Sequence, residues 1–394
     1  MSYRILTLNH ISVRGLERLP RDRYEVASQL GQPHAVLVRS ADMHQMALPD
    51  SLLAVARAGA GTNNIPVAAL SKRGIPVFNA PGANANAVKE LVLAGLLLAA
   101  RNICQAWAYT RGLDGGDAAA LEHAVEEGKR RFVGFELPGR TLGVIGLGAV
   151  GVQVANSAEA LGMKVLGYDP QITVQRAWQL SSSVQQALSL DDLFARADAV
   201  SVHVPLLDST RGLVNAARLR LLPAGAVLLN FARAGIVNEA DVLAALDSAH
   251  LHAYVCDFPT QALKNHARAI TLPHLGASTL EAEEQCAVMA ADALRDFLEH
   301  GNIRNCVNFP EAVLPPLAGS QRIAIANSNV PNMVGQISTC LADAALNITE
   351  LVNRSRGEYA YTLIDAEGAT DEALIERLRA IDGVLSARLV RAQV

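Results

Sequence analysis

The chain has 394 residues, which at roughly 150 residues per domain is enough for two or three cores and excludes a single small module. Its residues are 51% hydrophobic and only 18% charged, below the roughly 25% charged of an average soluble protein, which excludes long disordered tails. The 34 basic and 38 acidic side chains leave a formal charge of −4, so no net positive field marks a nucleic acid or an anionic membrane as the main partner.

At the start of the chain Arg4, Asn9, His10 and Arg14 interrupt the sequence before a signal-peptide core can build up, which predicts a cytoplasmic protein. Residues 1–83 then alternate short apolar runs, Ile5–Leu8, Ala35–Val38, Leu53–Ala56 and Ile75–Phe78, with Gly, Pro, Asn and charged residues, the pattern of an α/β segment. From Asn84 to Arg101 one long helix is predicted, capped by Asn84 or Asn86, and a domain boundary is expected near Gly82. Its apolar run, Leu91–Ala100, is about half of what a membrane span needs, so it is expected to be buried. Residues 112–131 read as a polar, glycine-containing stretch.

Six apolar strands follow with helical intervals: Leu142–Ile145, Lys164–Tyr168, Ala199–His203, Val227–Asn230, Ala253–Val255 and Ala269–Leu272. That alternation predicts a doubly wound parallel sheet. The helix from Thr279 to about His300 is expected to return to residues 1–83, making the first domain discontinuous. Three prolines in NFPEAVLPPLAGS predict a linker over 308–320, and residues 321–394 read βαββαβ, the ferredoxin-like split motif. The five cysteines are odd in number and lack any CxxC spacing, which fits a reducing compartment; no metal site is expected.

Chemistry is concentrated in three places. Gly146, Leu147, Gly148, Ala149, Val150 and Gly151 spell GxGxxG directly after TLGVI and open a helix. The first glycine permits a tight turn, the second a close approach to a pyrophosphate, and the third close helix–strand packing. Eighteen residues beyond Gly151, Asp169 ends the next strand, where a carboxylate can accept both ribose hydroxyls and repel a 2′-phosphate; NAD is favoured over NADP. Arg233 follows the strand VLLN and His274 follows AIT, both at carboxyl ends, where doubly wound sheets bind ligands. A hydride transfer from a 2-hydroxy acid needs one cation for the carboxylate and one group to exchange the proton, and arginine and histidine supply these. Taken singly, Arg233 also reads as a surface charge and His274 as a loop histidine.

The run from Gly134 to Asp169 and the segments NFARAGIVNEADVLAAL and PHLGASTLEAEEQ resemble the D-isomer-specific 2-hydroxyacid dehydrogenases, and RAGAGTNNI with GIPVFNAPGANANAVKELV is similar to that family's substrate loop. VRSAD, VNFPEAVLP and a C-terminal ACT-like module narrow the resemblance, over essentially the whole chain, to the branch that oxidises D-3-phosphoglycerate for serine synthesis. The resemblance implies a Rossmann nucleotide domain (84–275) inserted in a flavodoxin-like substrate domain (1–83 and 276–307), then the linker and an ACT-like regulatory domain. It implies NAD contacts at Gly146, Gly148, Ala149, Val150, Gly151, Asp169, His203, Pro205, Phe231, Ala232, Asp257 and Gly276. Arg233 would bind the carboxylate, His274 would be the acid/base, and the amides around Ala58, Gly59 and Ala60 would also hold the carboxylate. Arg39, Ser40 and Arg57 would lie by the phosphate, where two cations suit the charge. L-serine as an effector would meet Asn327, Asn329 and Asn347, and a homodimer or homotetramer is implied.

Two features depart from the family. The glutamate that charges the histidine is replaced by Gln261 or Ala262, depending on alignment, and a glutamine orients a ring without lending net charge. Asp257 is either the family's carboxamide contact or is shifted from it by one residue. Two alternatives therefore stand beside the main expectation: another D-2-hydroxy acid such as 2-hydroxyglutarate as substrate, or an NAD-sensing protein without catalysis.

Overall fold

The computed structural model describes residues 2–113, 116–317 and 319–390; residue 318 of the expected linker and 391–394 of the expected C-terminal domain lie outside these. The chain divides into two compact units, residues 1–84 with 280–394, and residues 85–279.

In the first unit, β1 (Tyr3–Leu8), β2 (Tyr24–Ala27), β3 (Ala35–Val38), β4 (Ala54–Arg57) and β5 (Val77–Phe78) form a parallel sheet in the order β2-β1-β3-β4-β5, the flavodoxin-like order. The central strand AVLV is buried throughout, as a strand covered on both faces must be. One face packs on Leu280–His300, whose Ala287, Ala290, Ala291, Leu294, Phe297 and Leu298 recur at helical spacing and are buried. Gly15, in the short Val13–Leu16 helix, crosses it so closely that a Cβ would stand 2.6 Å from that of Ala287. The sequence pattern missed β2, an edge strand whose YEVA is too short and mixed to show a period.

The second unit carries a seven-stranded parallel sheet: β6 (Thr141–Ile145), β7 (Lys164–Tyr168), β8 (Gln185–Gln186), β9 (Ala199–Val202), β10 (Ala226–Asn230), β11 (Leu251–Cys256) and β12 (Ala269–Thr271). Its order, β12-β11-β10-β9-β6-β7-β8, is the doubly wound 3-2-1-4-5-6 order with one strand added. Apolar clusters fill both faces. The Ala85–Ala100 helix buries Val88, Val92, Leu96 and Ala99, and a Cβ on Gly95 would stand 3.1 Å from the Phe231 ring and from Val255. Residues 112–131 differ from expectation: Ala118–Gly128 is a helix, its first turn capped by the Asp117 carboxylate accepting from the Ala120 amide at 2.8 Å. Its alanines and glutamates are strong helix formers, and the glycines before it had masked that signal.

Returning to the first unit, β13 (Gln321–Ser328), β14 (Asn347–Arg356), β15 (Tyr359–Glu367) and β16 (Val384–Val390) make an antiparallel sheet in the order β14-β15-β13-β16. Alternation along β13 divides its work: Ile323 and Ile325 face the Met333–Asp343 and Glu372–Arg379 helices, while Ala324 and Ala326 join the cluster around Phe297, Phe309 and Leu314. Residues 308–314, expected as part of a linker, are a packed strap. Phe309 is wholly buried, Ala312 pairs with Ile303, and the Leu314 amide donates to the Asn302 side chain at 3.0 Å. Prolines 310, 315 and 316 punctuate this strap without freeing it. Arg322 seals the junction, its five N–H groups meeting both Asp365 oxygens (2.7 and 2.6 Å) and the carbonyls of His300, Leu314 and Pro315. Among the described residues no single helix is long and apolar enough to cross a membrane.

Candidate active site

The glycine turn between β6 and the Ala149–Ala160 helix is built as its spacing suggests. Gly146 has φ +90°, and a Cβ there would stand 2.8 Å from the His203 carbonyl oxygen. A Cβ on Gly151 would collide with the Gly146 carbonyl oxygen. Gly148, the residue before the helix, faces open space, with nothing within 4 Å of a would-be Cβ. Two glycines are thus required by the chain itself, and the third leaves a cradle that a Cβ would fill, beside the unpaired N–H groups of a helix start. Ala149 and Val150 open that helix. Asp169, just past β7, is tied to the turn: its oxygens accept from the amides of Leu147 (2.8 Å) and Gln171 (2.9 Å). The residues present fit a dinucleotide.

His203, just past β9, donates its amide to Ile145 and shares a 2.8 Å hydrogen bond between Nε2 and Ser201. Burial lowers its pKa to about 4, so it is neutral near pH 7. Pro205 is exposed, whereas Phe231 is buried in the core.

Arg233 and His274 follow β10 and β12, the neighbours of β11 on either side, and all strands of this sheet run parallel. The Arg233 guanidinium is exposed and donates to the Ala232 carbonyl at 2.6 Å. His274 is exposed, has φ +56°, and meets the Phe258 ring edge-on at 5.3 Å. Among the described residues no hydrogen bond reaches its ring, and exposed Gln261 is not bonded to it. Asp257 is 1% exposed, and its oxygens accept from the amides of Leu275 and Gly276 at 2.7 Å each. Asn230, which the sequence reading passed over although it directly precedes the FARAG segment, is 0% exposed; it accepts from the Ala232 amide (3.1 Å) and donates to the Arg233 carbonyl (3.0 Å).

In the first unit, Ala58 and Gly59 use their amides within the loop, donating to Val38 (2.8 Å) and Arg57 (2.9 Å), while the Ala60 amide has no partner among the described residues. The Arg57 guanidinium braces the loop, donating to the carbonyls of Arg39 (3.0 Å) and Gly61. Arg39 is ion-paired with Glu283. Ser40 is held by its amide, which donates at 3.0 Å to Asn9, a residue with φ +69°. Neither Asn9 nor Glu283 carries a motif that would have singled it out.

The three asparagines do not converge in one copy of the chain. Asn347 pairs with Glu367 beside the start of β13, whereas Asn327, opposite Ala360, lies at its other end, roughly 20 Å away at about 3.3 Å per residue. Asn327 is buried, with its side-chain oxygen unpartnered, and Asn329 donates to the Gly357 carbonyl at 3.0 Å.

A doubly wound sheet, a glycine turn with an acid on the following strand, and an arginine and a histidine on the same sheet edge define a dinucleotide-linked oxidoreductase. The chain belongs to the D-isomer-specific 2-hydroxyacid dehydrogenases: residues 96–276 match that family's NAD-binding domain. Among its relatives, a D-3-phosphoglycerate dehydrogenase of Haemophilus influenzae is 34% identical over 351 residues, covering 86% of this chain and 81% of the relative. One of Escherichia coli is 32% identical over 354 residues, covering 86% and 82%. Among solved structures, a Thermus thermophilus protein aligns with TM-score 0.63 at 28% identity, over 77% of this chain and 99% of that one. An NAD+-bound 3-phosphoglycerate dehydrogenase of Entamoeba histolytica aligns with TM-score 0.60 at 25% identity, over 78% and 99%.

Proposed function

We propose that this chain oxidises D-3-phosphoglycerate at C2 to 3-phosphohydroxypyruvate with NAD, the step that opens serine synthesis. The observation that carries the reading is that the glycine turn, Arg233 and His274 all follow carboxyl ends of strands in one parallel sheet, with the Arg233 and His274 loops each anchored by a buried side chain. NAD would be held by Gly146, Gly148, Gly151 and the helix start they open, with Asp169 on its ribose. The chemistry NAD supplies when bound is acceptance of a hydride. Arg233 binds the substrate carboxylate and polarises the C2 oxygen, and His274 takes the hydroxyl proton. The free Ala60 amide offers the carboxylate a second anchor, and Arg39 with Arg57 supplies positive charge for the phosphate.

The Arg39–Glu283 pair favours a second reading, since it leaves less uncompensated charge for a phosphate than two free arginines would: a D-2-hydroxy acid without phosphate, such as 2-hydroxyglutarate. A panel of D-2-hydroxy acids with NAD tests both. The main reading expects kcat/KM for D-3-phosphoglycerate to exceed the others at least tenfold, and a preference for an unphosphorylated acid sinks it.

In this reading the C-terminal sheet is an ACT-like module that binds L-serine between two copies. The separation of Asn347 from Asn327 along β13 supports a site shared between copies, and the unpartnered Asn327 oxygen is an acceptor suited to an ammonium group. Exposed Leu97, Ile103, Trp107, Leu121 and Val125 support a homo-oligomer joined through the nucleotide-binding unit. Calorimetry with L-serine tests the effector, and no heat at millimolar serine rejects it.

A further inference from the structure

Two buried polar side chains stand side by side at the carboxyl ends of β10 and β11, and each bonds the backbone of a neighbouring loop, Asn230 also donating to the Tyr254 hydroxyl at 3.4 Å. Asn230 spans the Arg233 loop, accepting from the Ala232 amide at 3.1 Å and donating to the Arg233 carbonyl at 3.0 Å. Asp257 spans the His274 loop, accepting from two successive amides, Leu275 and Gly276, at 2.7 Å each. The two are joined, because the Asp257 amide donates to the Asn230 carbonyl at 3.3 Å. The identities of both side chains follow from what they meet. The Arg233 loop presents one donor and one acceptor, which an amide complements and a carboxylate does not. The His274 loop presents two donors, which a carboxylate complements, whereas an asparagine would turn its NH2 against one of them.

The His274 loop also needs to be held. His274 has φ +56°, a left-handed conformation uncommon for residues other than glycine, and its ring has no hydrogen bond among the described residues. Gly276 is seated so tightly that a Cβ would stand 3.2 Å from Asp257 Oδ2.

We propose that Asn230 and Asp257 are positioning residues that form one splint across the ends of β10 and β11, fixing Arg233 and His274 relative to each other. Asp257 acts on His274 through the Leu275 and Gly276 amides. The inference rests on the reading above, in which Arg233 and His274 act on the substrate.

The test uses the full chain with NAD and D-3-phosphoglycerate, and the nearly isosteric variants Asp257→Asn and Asn230→Asp, each of which reverses one contact. A misplacement of about 1 Å can cost on the order of a hundredfold in rate, so kcat is expected to fall about 10- to 100-fold. KM and the NAD dissociation constant should stay within about threefold, and hydrogen exchange over residues 272–278 should quicken in Asp257→Asn alone. In a His274→Ala background Asp257→Asn should cost less than about twofold more, because a residue that acts through His274 has nothing left to place; a general loss of structure would still lower the rate. Should Asp257→Asn fail to fold, Asn230→Asp in an Arg233→Ala background carries the same comparison. Weakened NAD binding with kcat preserved would make Asp257 a cofactor contact and overturn the proposal. So would an undiminished effect of Asp257→Asn after His274 is removed. Near-normal rates for His274→Ala and Arg233→Ala would instead defeat the functional reading itself, a distinguishable failure.

Discussion

Gly148→Ala and Gly151→Ala are expected to act in opposite ways, because only one of the two positions is already filled by the chain. At Gly151 the new methyl would fall well inside 3.0 Å of the Gly146 carbonyl oxygen, so the helix must shift away from β6. Overpacking of this kind costs about 1–3 kcal/mol, more where the obstacle is backbone. At Gly148 the backbone (φ −74°, ψ −160°) is open to any L-residue and nothing lies within 4 Å. The loss of unfolded-state freedom should therefore stabilise the chain by about 0.4–1 kcal/mol. The methyl meets an obstacle only when a pyrophosphate lies over the turn. Urea unfolding read by circular dichroism, together with NAD titration by fluorescence, separates the two. Gly151→Ala should lower the unfolding midpoint; Gly148→Ala should leave it equal or raised while weakening NAD at least about tenfold, or 1.4 kcal/mol. Unchanged NAD affinity in Gly148→Ala would refute the argument that this cradle is where the dinucleotide approaches.

Arg322→Met leaves the Asp365 carboxylate buried and unpaired beside three bare carbonyls. A loss of about 3–5 kcal/mol is expected in urea unfolding, and the double variant Arg322→Met/Asp365→Leu should recover much of it; equal costs would contradict the account. His203 has its folded pKa lowered from 6.5 to about 4 by burial, so the unfolded chain binds the extra proton between those values. Its stability contribution is complete above about pH 6.5 and falls as pH drops toward 4. Unfolding followed from pH 7 to 4 should therefore be less steep in His203→Gln. Glu283→Gln releases Arg39 from its ion pair and should lower KM for D-3-phosphoglycerate several-fold, with little change for an unphosphorylated D-2-hydroxy acid; equal shifts for both substrates would count against a phosphate role for Arg39.

Legibility from the sequence followed the physics of each element. The parallel strands with unbroken apolar runs, such as AVLV and AVLLN, stood out because burial on both faces leaves no polar alternation to confuse them. β2 and β8 did not, being edge strands of four and two residues, too short to show a period. The glycine turn was readable because its three glycines each answer a steric demand. Arg233 and His274 were readable as residue types at strand ends, but their supports were not: what Asn230 and Asp257 hold depends on which backbone donors and acceptors the Arg233 and His274 loops present, and that is a property of the folded chain. Arg57 was readable as a cation in a substrate loop, whereas its bonds to the Arg39 and Gly61 carbonyls, which brace that loop, appear only in the folded chain.

The most direct test of the account is NADH formation from D-3-phosphoglycerate by the wild-type chain, Arg233→Ala and His274→Ala, with substrate protonated or deuterated at C2. The wild type should turn over with a primary isotope effect on the single-turnover rate, and each variant should lose on the order of a hundredfold or more, as the removal of such electrostatic groups does. A near-normal rate in Arg233→Ala would contradict it.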